Sequence, residues 1–234
     1  MYTEEIVKIT AASQAKINLL QAGRGKYLLA SALAGLYVGL GILLIFTIGG
    51  VLGQADSPAL KIVMGASFGI ALSLVIMAGS ELFTGNNLVM TIGQLEKKVR
   101  SNEAAAIYFF SFFGNLLGSV ALAGLFAYSG LLTGPTSAFI AKTAAVKMSL
   151  PWSQLFIRAV LCNILVCLAV WCSFRMKEET GKLVMIFWCL FAFITTGFEH
   201  SVANMTLLAT ALFIDGAGGV SIGGFAYNLF WVTL

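Results

Sequence analysis

The chain has 234 residues, of which 59% are hydrophobic and 10% are charged, and its mean hydropathy is +0.93. So few polar groups cannot cover the surface of a water-soluble domain, and the composition therefore predicts an all-α integral membrane protein. The net charge of +4 is what an excess of basic residues on one membrane face would give, so nothing indicates nucleic-acid binding.

Residues 1–26 predict an N-terminal amphipathic helix that lies at the membrane interface. Ile6, Ile9, Ile17 and Leu20 fall near one helical face, as this arrangement requires. A frayed, solvated helix is the alternative. Charged residues are scattered through this stretch where a secretory signal has its apolar run, so we expect no signal peptide.

Residues 27–234 predict a transmembrane domain with six spans, with one repeat at about 27–133 and a second at about 151–234. The apolar segments are Tyr27 to Leu52, Ala59 to Leu95, Ala104 to Leu132, Trp152 to Phe174, Leu183 to Ile214 and Gly219 to Leu234. A straight crossing of a ~30 Å hydrocarbon core needs about 20 residues, so the second and fifth segments are too long by roughly a third to a half. The sixth segment is short, which predicts a truncated C-terminus.

A polar motif interrupts each overlong segment. Residues 79–86 and 197–204 share the frame Gly-x-Glu-x-x-x-Gly/Ala-Asn. Acidic and amide side chains are costly inside a bilayer, and glycine-interrupted segments at matching places in two halves are typical of transporters built from inverted repeats. We therefore predict that the second and fifth helices are broken near the bilayer midplane, where irregular backbone faces a cavity.

Basic residues predict a cytoplasmic N-terminus. They cluster at connections that fall on one side, namely Arg24, Lys26, Lys97, Lys98, Arg100, Arg175, Lys177 and Lys182. Lys147 is one of four basic residues that this topology places at or near the outer face. Such residues either anchor the protein at the interface or form a positive outer mouth that attracts anions.

Small residues predict close packing between spans, notably Gly35-x-x-x-Gly39 and Gly114-x-x-x-Gly118. The cysteines point around their helices rather than toward one another, so no metal, disulfide or cofactor is predicted for Cys162, Cys167, Cys172 and Cys189.

Two other classes of protein compete with a transporter. An intramembrane enzyme would use a serine and the only histidine, but adjacent His200 and Ser201 point apart on a helix and no nucleophile elbow is present. A structural or receptor membrane protein explains the hydrophobicity but not two matched polar breaks.

The motifs resemble the formate–nitrite transporter family over nearly the whole chain. The resemblance rests on residues 79–85 and 197–205, with Tyr37–Gly41 and Asn163–Trp171. The Glu-Leu-Phe-Thr-Gly form of the first motif and residues 68–72 are most similar to the bacterial nitrite channel branch. This resemblance implies an aquaporin-like arrangement and a homopentamer with one pore per subunit in the lipid of the bacterial inner membrane. It also implies small monovalent anions as substrates: nitrite, formate or hydrosulfide.

The resemblance also implies site residues. Hydrophobic constrictions would be formed by Leu72 and Phe83 on the cytoplasmic side and by Phe68, Leu82 and Phe193 on the other. The polar pore residues would be Thr84 in a mobile loop, His200 between the constrictions, Asn163, Asn204, and Lys147 near the outer vestibule.

The chemistry of these residues suits a weak-acid anion. An anion loses its hydration in a ring of Leu and Phe at a cost of many kcal/mol, which the neutral acid largely avoids. His200 can donate a proton or a hydrogen bond near neutral pH, with water as the other proton source. Conduction of the anion itself, with His200 only as a hydrogen-bond donor, is the alternative, and a buried core histidine is the second one.

We expect the acidic residues to serve as scaffold. Glu81 and Glu199 sit where half-helices should begin, so their carboxylates can accept hydrogen bonds from free backbone N–H groups. Asn86 and Asn204 fit the same role. A proton relay through either glutamate is the alternative, and Thr84 can equally bond its own loop backbone.

Overall fold

The computed structural model describes residues 2–234, and every regular element within this range is an α-helix, so the all-α prediction is confirmed. In chain order the helices are α1 (Thr3–Ala22), α2 (Arg24–Gly53), α3 (Leu60–Ser67), α4 (Ile70–Met77), α5 (Phe83–Leu95), α6 (Ser101–Tyr128), α7 (Gly134–Ser149), α8 (Trp152–Arg175), α9 (Glu179–Thr196), α10 (Ser201–Leu212) and α11 (Ile222–Thr233).

Five stretches of residues 2–234 are long and apolar enough to cross a membrane. They are α2, the pair α3 and α4 taken together, α6, α8 and α9, while α10 is a shorter apolar helix. Many large apolar side chains on these helices face outward, as lipid-facing residues do, among them Leu29, Leu125 and Leu168. The protein is therefore a multi-pass membrane protein, and the count of six spans stays a prediction.

The chain leaves helical structure at both polar motifs. Residues 78–82 separate α4 from α5, and residues 197–200 separate α9 from α10. Gly79 and Gly197 have φ angles of 78° and 81°, in the left-handed region that glycine adopts without steric cost. This explains why each motif begins with glycine. The placement of the breaks at the bilayer midplane stays a prediction.

Helices α2 and α6 pack with their backbones in direct contact. A Cβ atom on Gly35 would overlap the backbone of Asn115, and a Cβ atom on Gly118 would overlap the backbone of Ala32. Close packing between spans at these small residues was predicted, and the structure adds that the two motifs face each other. This packing brings Asn115, which is fully buried, beside the first break.

Helix α7 was not predicted from the sequence. It occupies the stretch between the two expected repeats and buries Ile140, Ala144 and Met148 against the bundle. Helix α1 likewise buries Ile9 and Ile17 and packs against α5, α2 and α8. Each half of the protein is therefore preceded by a helix that packs against the core. Helix α1 places Lys16 at the first break, and helix α7 places Lys147 at the second.

Candidate functional site

The first break is held by a charged network around Glu81. Its Oε2 atom lies 2.8 Å from Nζ of Lys16, which comes from α1, and accepts a hydrogen bond of 2.9 Å from the hydroxyl of Tyr27. The same hydroxyl accepts a hydrogen bond of 3.2 Å from Nδ2 of Asn86. Tyr27 therefore links the glutamate and the asparagine of this motif, on opposite sides of the start of α5.

The second break has a matching network around Glu199, whose side chain is 2% exposed. Its Oε2 atom lies 2.7 Å from Nζ of Lys147 and accepts a hydrogen bond of 2.7 Å from Nδ2 of Asn204. Nδ2 of Asn204 also donates a hydrogen bond of 2.8 Å to Oδ1 of Asn228, and Nδ2 of Asn228 in turn donates to the backbone oxygen of Lys147 at 2.9 Å. Here the glutamate and the asparagine bond directly, and a second asparagine ties them to α7.

The carboxylates do not accept the backbone hydrogen bonds that the sequence predicted. The N–H of Phe83, at the start of α5, donates to Oδ1 of Asn115 at 2.9 Å. The N–H of Ala203, at the start of α10, donates to Nδ1 of His200 at 3.1 Å. The reason is that a neutral acceptor satisfies an unpaired N–H, whereas a buried carboxylate needs a cation to offset its loss of hydration. The glutamates tie the breaks to α1 and α7 instead.

Lys147 is not the free positive charge expected near an outer vestibule. Its ammonium group is paired with Glu199, and its side chain is 18% exposed. The pair carries no net charge, so its field outside the network is weak. The physical reason is again the carboxylate, which would be buried without a counterion if Lys147 faced outward.

His200 and Thr84 form a direct contact between the two breaks. Nε2 of His200 lies 3.1 Å from Oγ1 of Thr84, and both side chains are buried. Because Nδ1 accepts the N–H of Ala203, it carries no proton, so the neutral ring has its proton on Nε2, directed at Thr84. In an imidazolium, the N–H at Nδ1 and the N–H of Ala203 would face each other with no acceptor between them. The ring of Phe193 stacks on the imidazole, with centroids 5.7 Å apart.

Four of the five expected constriction residues meet at His200. Phe68, Leu72, Leu82 and Phe193 line, with the histidine, a narrow cavity of about 10 Å³. The rings of Phe68 and Phe193 meet edge to face with centroids 5.7 Å apart. A space of this size holds about one water molecule, so a solute that enters must push side chains apart.

Phe83 is not part of this narrow cavity. Its ring packs against α6, with centroids 6.1 Å from Tyr108 and 5.5 Å from Phe112. It also borders a larger cavity beside Thr84. Its role as a constriction stays a prediction, and its packing is that of a core residue between α5 and α6.

Two larger cavities flank the narrow one. The lysine-lined cavity, of about 580 Å³, shares Leu72 and Leu82 with the narrow cavity and is also bordered by Lys16, Glu81 and Lys182. The histidine-lined cavity, of about 540 Å³, lies between α5, α8, α10 and α11 and includes His200, Thr84, Asn163 and Glu199. His200 therefore borders both the narrow cavity and the histidine-lined cavity.

The two asparagines that were predicted to line the pore differ in their bonding. Oδ1 of Asn163 is buried in the histidine-lined cavity and accepts no hydrogen bond from residues 2–234. The amide nitrogen of Asn204 is used by Glu199 and Asn228, which places this residue with the scaffold.

The sequence did not identify four residues of these networks: Lys16, Tyr27, Asn115 and Asn228. The likeness of the two motifs gives an indirect signal for Lys16: once the structure pairs Lys147 with Glu199, a lysine is expected at Glu81 as well. The partners on α2, α6 and α11 have no such signal, because only the packing of the helices brings them to the breaks.

These features define a multi-pass α-helical membrane protein with two polar breaks, in each of which a lysine pairs with the glutamate, and with a buried histidine at the end of the second break. Comparison with known proteins identifies the same class. The family described as formate/nitrite transporter matches residues 3–234, and the chain belongs to this family.

The relatives are transporters and channels rather than enzymes. Nitrite transporter NirC of Salmonella typhimurium is 46% identical over 237 residues, which cover 100% of this chain and 86% of that protein. The solved structure of an FNT family ion channel is 42% identical with a TM-score of 0.93, covering 99% of this chain and 92% of the other. A pentameric formate channel with formate bound is 27% identical with a TM-score of 0.81, covering 92% and 91%.

Proposed function

We propose that the protein is a membrane channel or transporter for small monovalent anions, with nitrite as its main substrate. The observation that carries this proposal is the contact of His200 with Thr84 beside a narrow apolar cavity, in a chain 46% identical to a nitrite transporter along its whole length. Formate and hydrosulfide are further substrates, because they too are small conjugate bases of weak acids.

The path leads from the lysine-lined cavity through the narrow cavity to His200. Shedding water in the narrow cavity costs an anion many kcal/mol, so passage is easiest for the neutral acid or for an anion that gains hydrogen bonds there. The buried donors at this point are Nε2–H of His200 and the hydroxyl of Thr84. A solute oxygen that replaces Thr84 as the partner of Nε2–H keeps a hydrogen bond during the crossing.

The bonding of His200 favours hydrogen-bond donation over proton transfer. A neutral imidazole with its proton on Nε2 cannot give up that proton without becoming an anion, and Nδ1 is occupied by the N–H of Ala203. The proton that neutralises a weak-acid anion therefore comes from hydronium in the aqueous phase, which leaves a water molecule behind, and it is taken up before the anion enters the narrow cavity. His200 orients and holds the solute.

The test is nitrite, formate and hydrosulfide flux into reconstituted vesicles across a range of pH. His200→Phe removes the donor and should lower flux by about the same factor at every pH. His200→Asn keeps a neutral donor and a residue type favoured at the start of a helix, so more flux should remain, with the wild-type pH dependence. A pH midpoint that moves in either variant would show that His200 itself titrates. Absence of flux for all three anions in the wild-type protein would refute the proposed function.

The assembly and the location extend the same proposal. A homopentamer in the bacterial inner membrane, with the N-terminus in the cytoplasm, is supported by the likeness to a pentameric channel and by the positions of the basic residues. The outward apolar side chains then face lipid or a neighbouring copy. Native mass spectrometry of the purified protein tests the pentamer. Labelling of a cysteine placed in α1, in intact and opened cells, tests the orientation.

A further inference from the structure

The lysine-lined cavity is bordered by three ionisable side chains. Two of them, Lys16 and Glu81, lie 2.8 Å apart and neutralise each other. The third is Lys182, near the start of α9. Its ammonium group lies 2.7 Å from Oε1 of Glu179, which does not border the cavity and whose side chain is 61% exposed. Lys182 itself is 21% exposed.

We propose that Lys182 is the anion-recruiting residue of this cavity, where it binds a small monovalent anion before the anion meets Leu72 and Leu82. This inference rests on the proposed function. Lys182 is the positive charge of the cavity wall whose carboxylate partner, Glu179, lies outside the cavity and faces solvent, so an entering anion can take the place of that partner. A cavity with apolar walls focuses the field of such a charge and raises the local concentration of anions.

The two lysines of the cavity differ in what they can release. Lys16 cannot leave Glu81 without stranding a poorly hydrated carboxylate, and breaking such a pair is strongly destabilising. Lys182 can leave Glu179 easily, because an exposed carboxylate is hydrated as soon as it is free and exposed ion pairs contribute little. An entering anion therefore competes for Lys182 and not for Lys16.

Opposite changes in one ion pair give a directional test. At a limiting nitrite concentration and an ionic strength of about 0.01 M, Lys182→Gln should lower nitrite uptake about 2–5-fold. This deficit should shrink as the ionic strength rises to about 0.15 M, because the Debye length falls from roughly 30 Å to roughly 8 Å. Glu179→Gln frees the ammonium group and should raise uptake under the same conditions. Lys177→Gln removes the same charge from an exposed position outside the cavity, and should leave uptake unchanged.

A second measurement is independent of transport. Ser80 borders the same cavity, so Ser80→Cys can be labelled with anionic and cationic thiol reagents of equal size, against a background without this cysteine. The anionic reagent should react faster, and Lys182→Gln should remove that preference while Lys177→Gln keeps it.

Both measurements use the full chain reconstituted in vesicles. If Lys182→Gln has no larger effect on uptake than Lys177→Gln, or if its deficit does not respond to salt, Lys182 does not recruit anions. If the wild-type protein carries no anion at all, the proposed function fails, and the labelling preference then decides on the anion site alone. Equal labelling by both reagents would overturn the site.

Discussion

Lys147→Met should destabilise the protein strongly, because it strands the carboxylate of Glu199. In the native structure this group lies 2.7 Å from Lys147 and 2.7 Å from Nδ2 of Asn204. Without the lysine, one amide donor remains for a carboxylate that is 2% exposed. Removing one partner of a buried ion pair costs about 3–5 kcal/mol. Because Lys147 keeps some contact with solvent, we expect about 3 kcal/mol.

A double substitution separates the stranded charge from the loss of lysine packing. In Lys147→Met with Glu199→Gln, the carboxylate becomes a neutral amide that still accepts a hydrogen bond from Asn204. Replacing a buried ion pair by neutral groups of similar volume is often nearly neutral for stability, so the double variant should recover about 2 kcal/mol relative to Lys147→Met. Lys8→Met breaks the exposed pair with Glu4 and should change stability little.

Unfolding of the purified protein in mixed detergent micelles, followed by tryptophan fluorescence, measures these differences. The order of stability should be wild type and Lys8→Met first, then the double variant, then Lys147→Met. If the double variant is no more stable than Lys147→Met, the stranded carboxylate is not the cause of the loss. If Lys147→Met is as stable as Lys8→Met, the pair with Glu199 contributes nothing, and Lys147 is again a candidate for a free vestibule charge.

Two further substitutions test packing at the narrow cavity and between the helices. Phe193→Ala should widen the cavity beside His200 and increase anion flux or relax its selectivity. Phe83→Ala should cost ~3–5 kcal/mol of stability without a gain in flux, because its ring packs against α6. Vesicle flux and detergent unfolding separate the two results, and a gain in flux for Phe83→Ala alone would reverse the assignment. Gly118→Ala should cost about 1–3 kcal/mol because its Cβ would meet backbone that cannot move aside, while Gly25→Ala, with nothing within 4 Å, should leave the unfolding curve unchanged.

The breaks could be predicted from the sequence because the information for them is local. Glu81 and Glu199 are costly within an apolar segment, and a glycine two residues before each supplies the left-handed turn. Helix α7 could not be predicted in the same way. Its apolar residues are interrupted by polar residues and lysines, and its 16 residues fall short of a membrane span, so a search for apolar segments does not find it.

The partners of the breaks depend on packing that no spacing in the sequence reveals. Asn115 reaches the start of α5 because small residues let α2 and α6 touch. Tyr27, on α2, stands between Glu81 and Asn86, which lie 54 and 59 residues further along the chain. The direction in which an aromatic side chain points cannot be predicted from the sequence either. Phe83 and Phe193 are both phenylalanines beside a polar motif, yet one packs against α6 and the other against His200.

The two breaks are neutralised separately, and this limits what can select the solute. With Glu81 paired to Lys16 and Glu199 paired to Lys147, the scaffold charges cancel within each half. The groups left to face a solute near His200 are neutral donors and the N-termini of α5 and α10, whose helix dipoles favour negative charge. The hydrogen bond that Nδ1 accepts from Ala203 keeps the imidazole neutral, so none of these donors changes its charge as the solute passes.

The pH dependence of flux should therefore follow the acidity of the solute and not that of the protein. Formic acid is a weaker acid than nitrous acid, so it keeps its proton to higher pH. The curve of formate uptake against pH should accordingly lie at higher pH than the curve of nitrite uptake, in the same vesicles and with the same protein. A titrating protein group, by contrast, would impose one midpoint on both anions. Coincident midpoints for nitrite and formate would therefore contradict the neutral assignment of His200, even if both anions are carried.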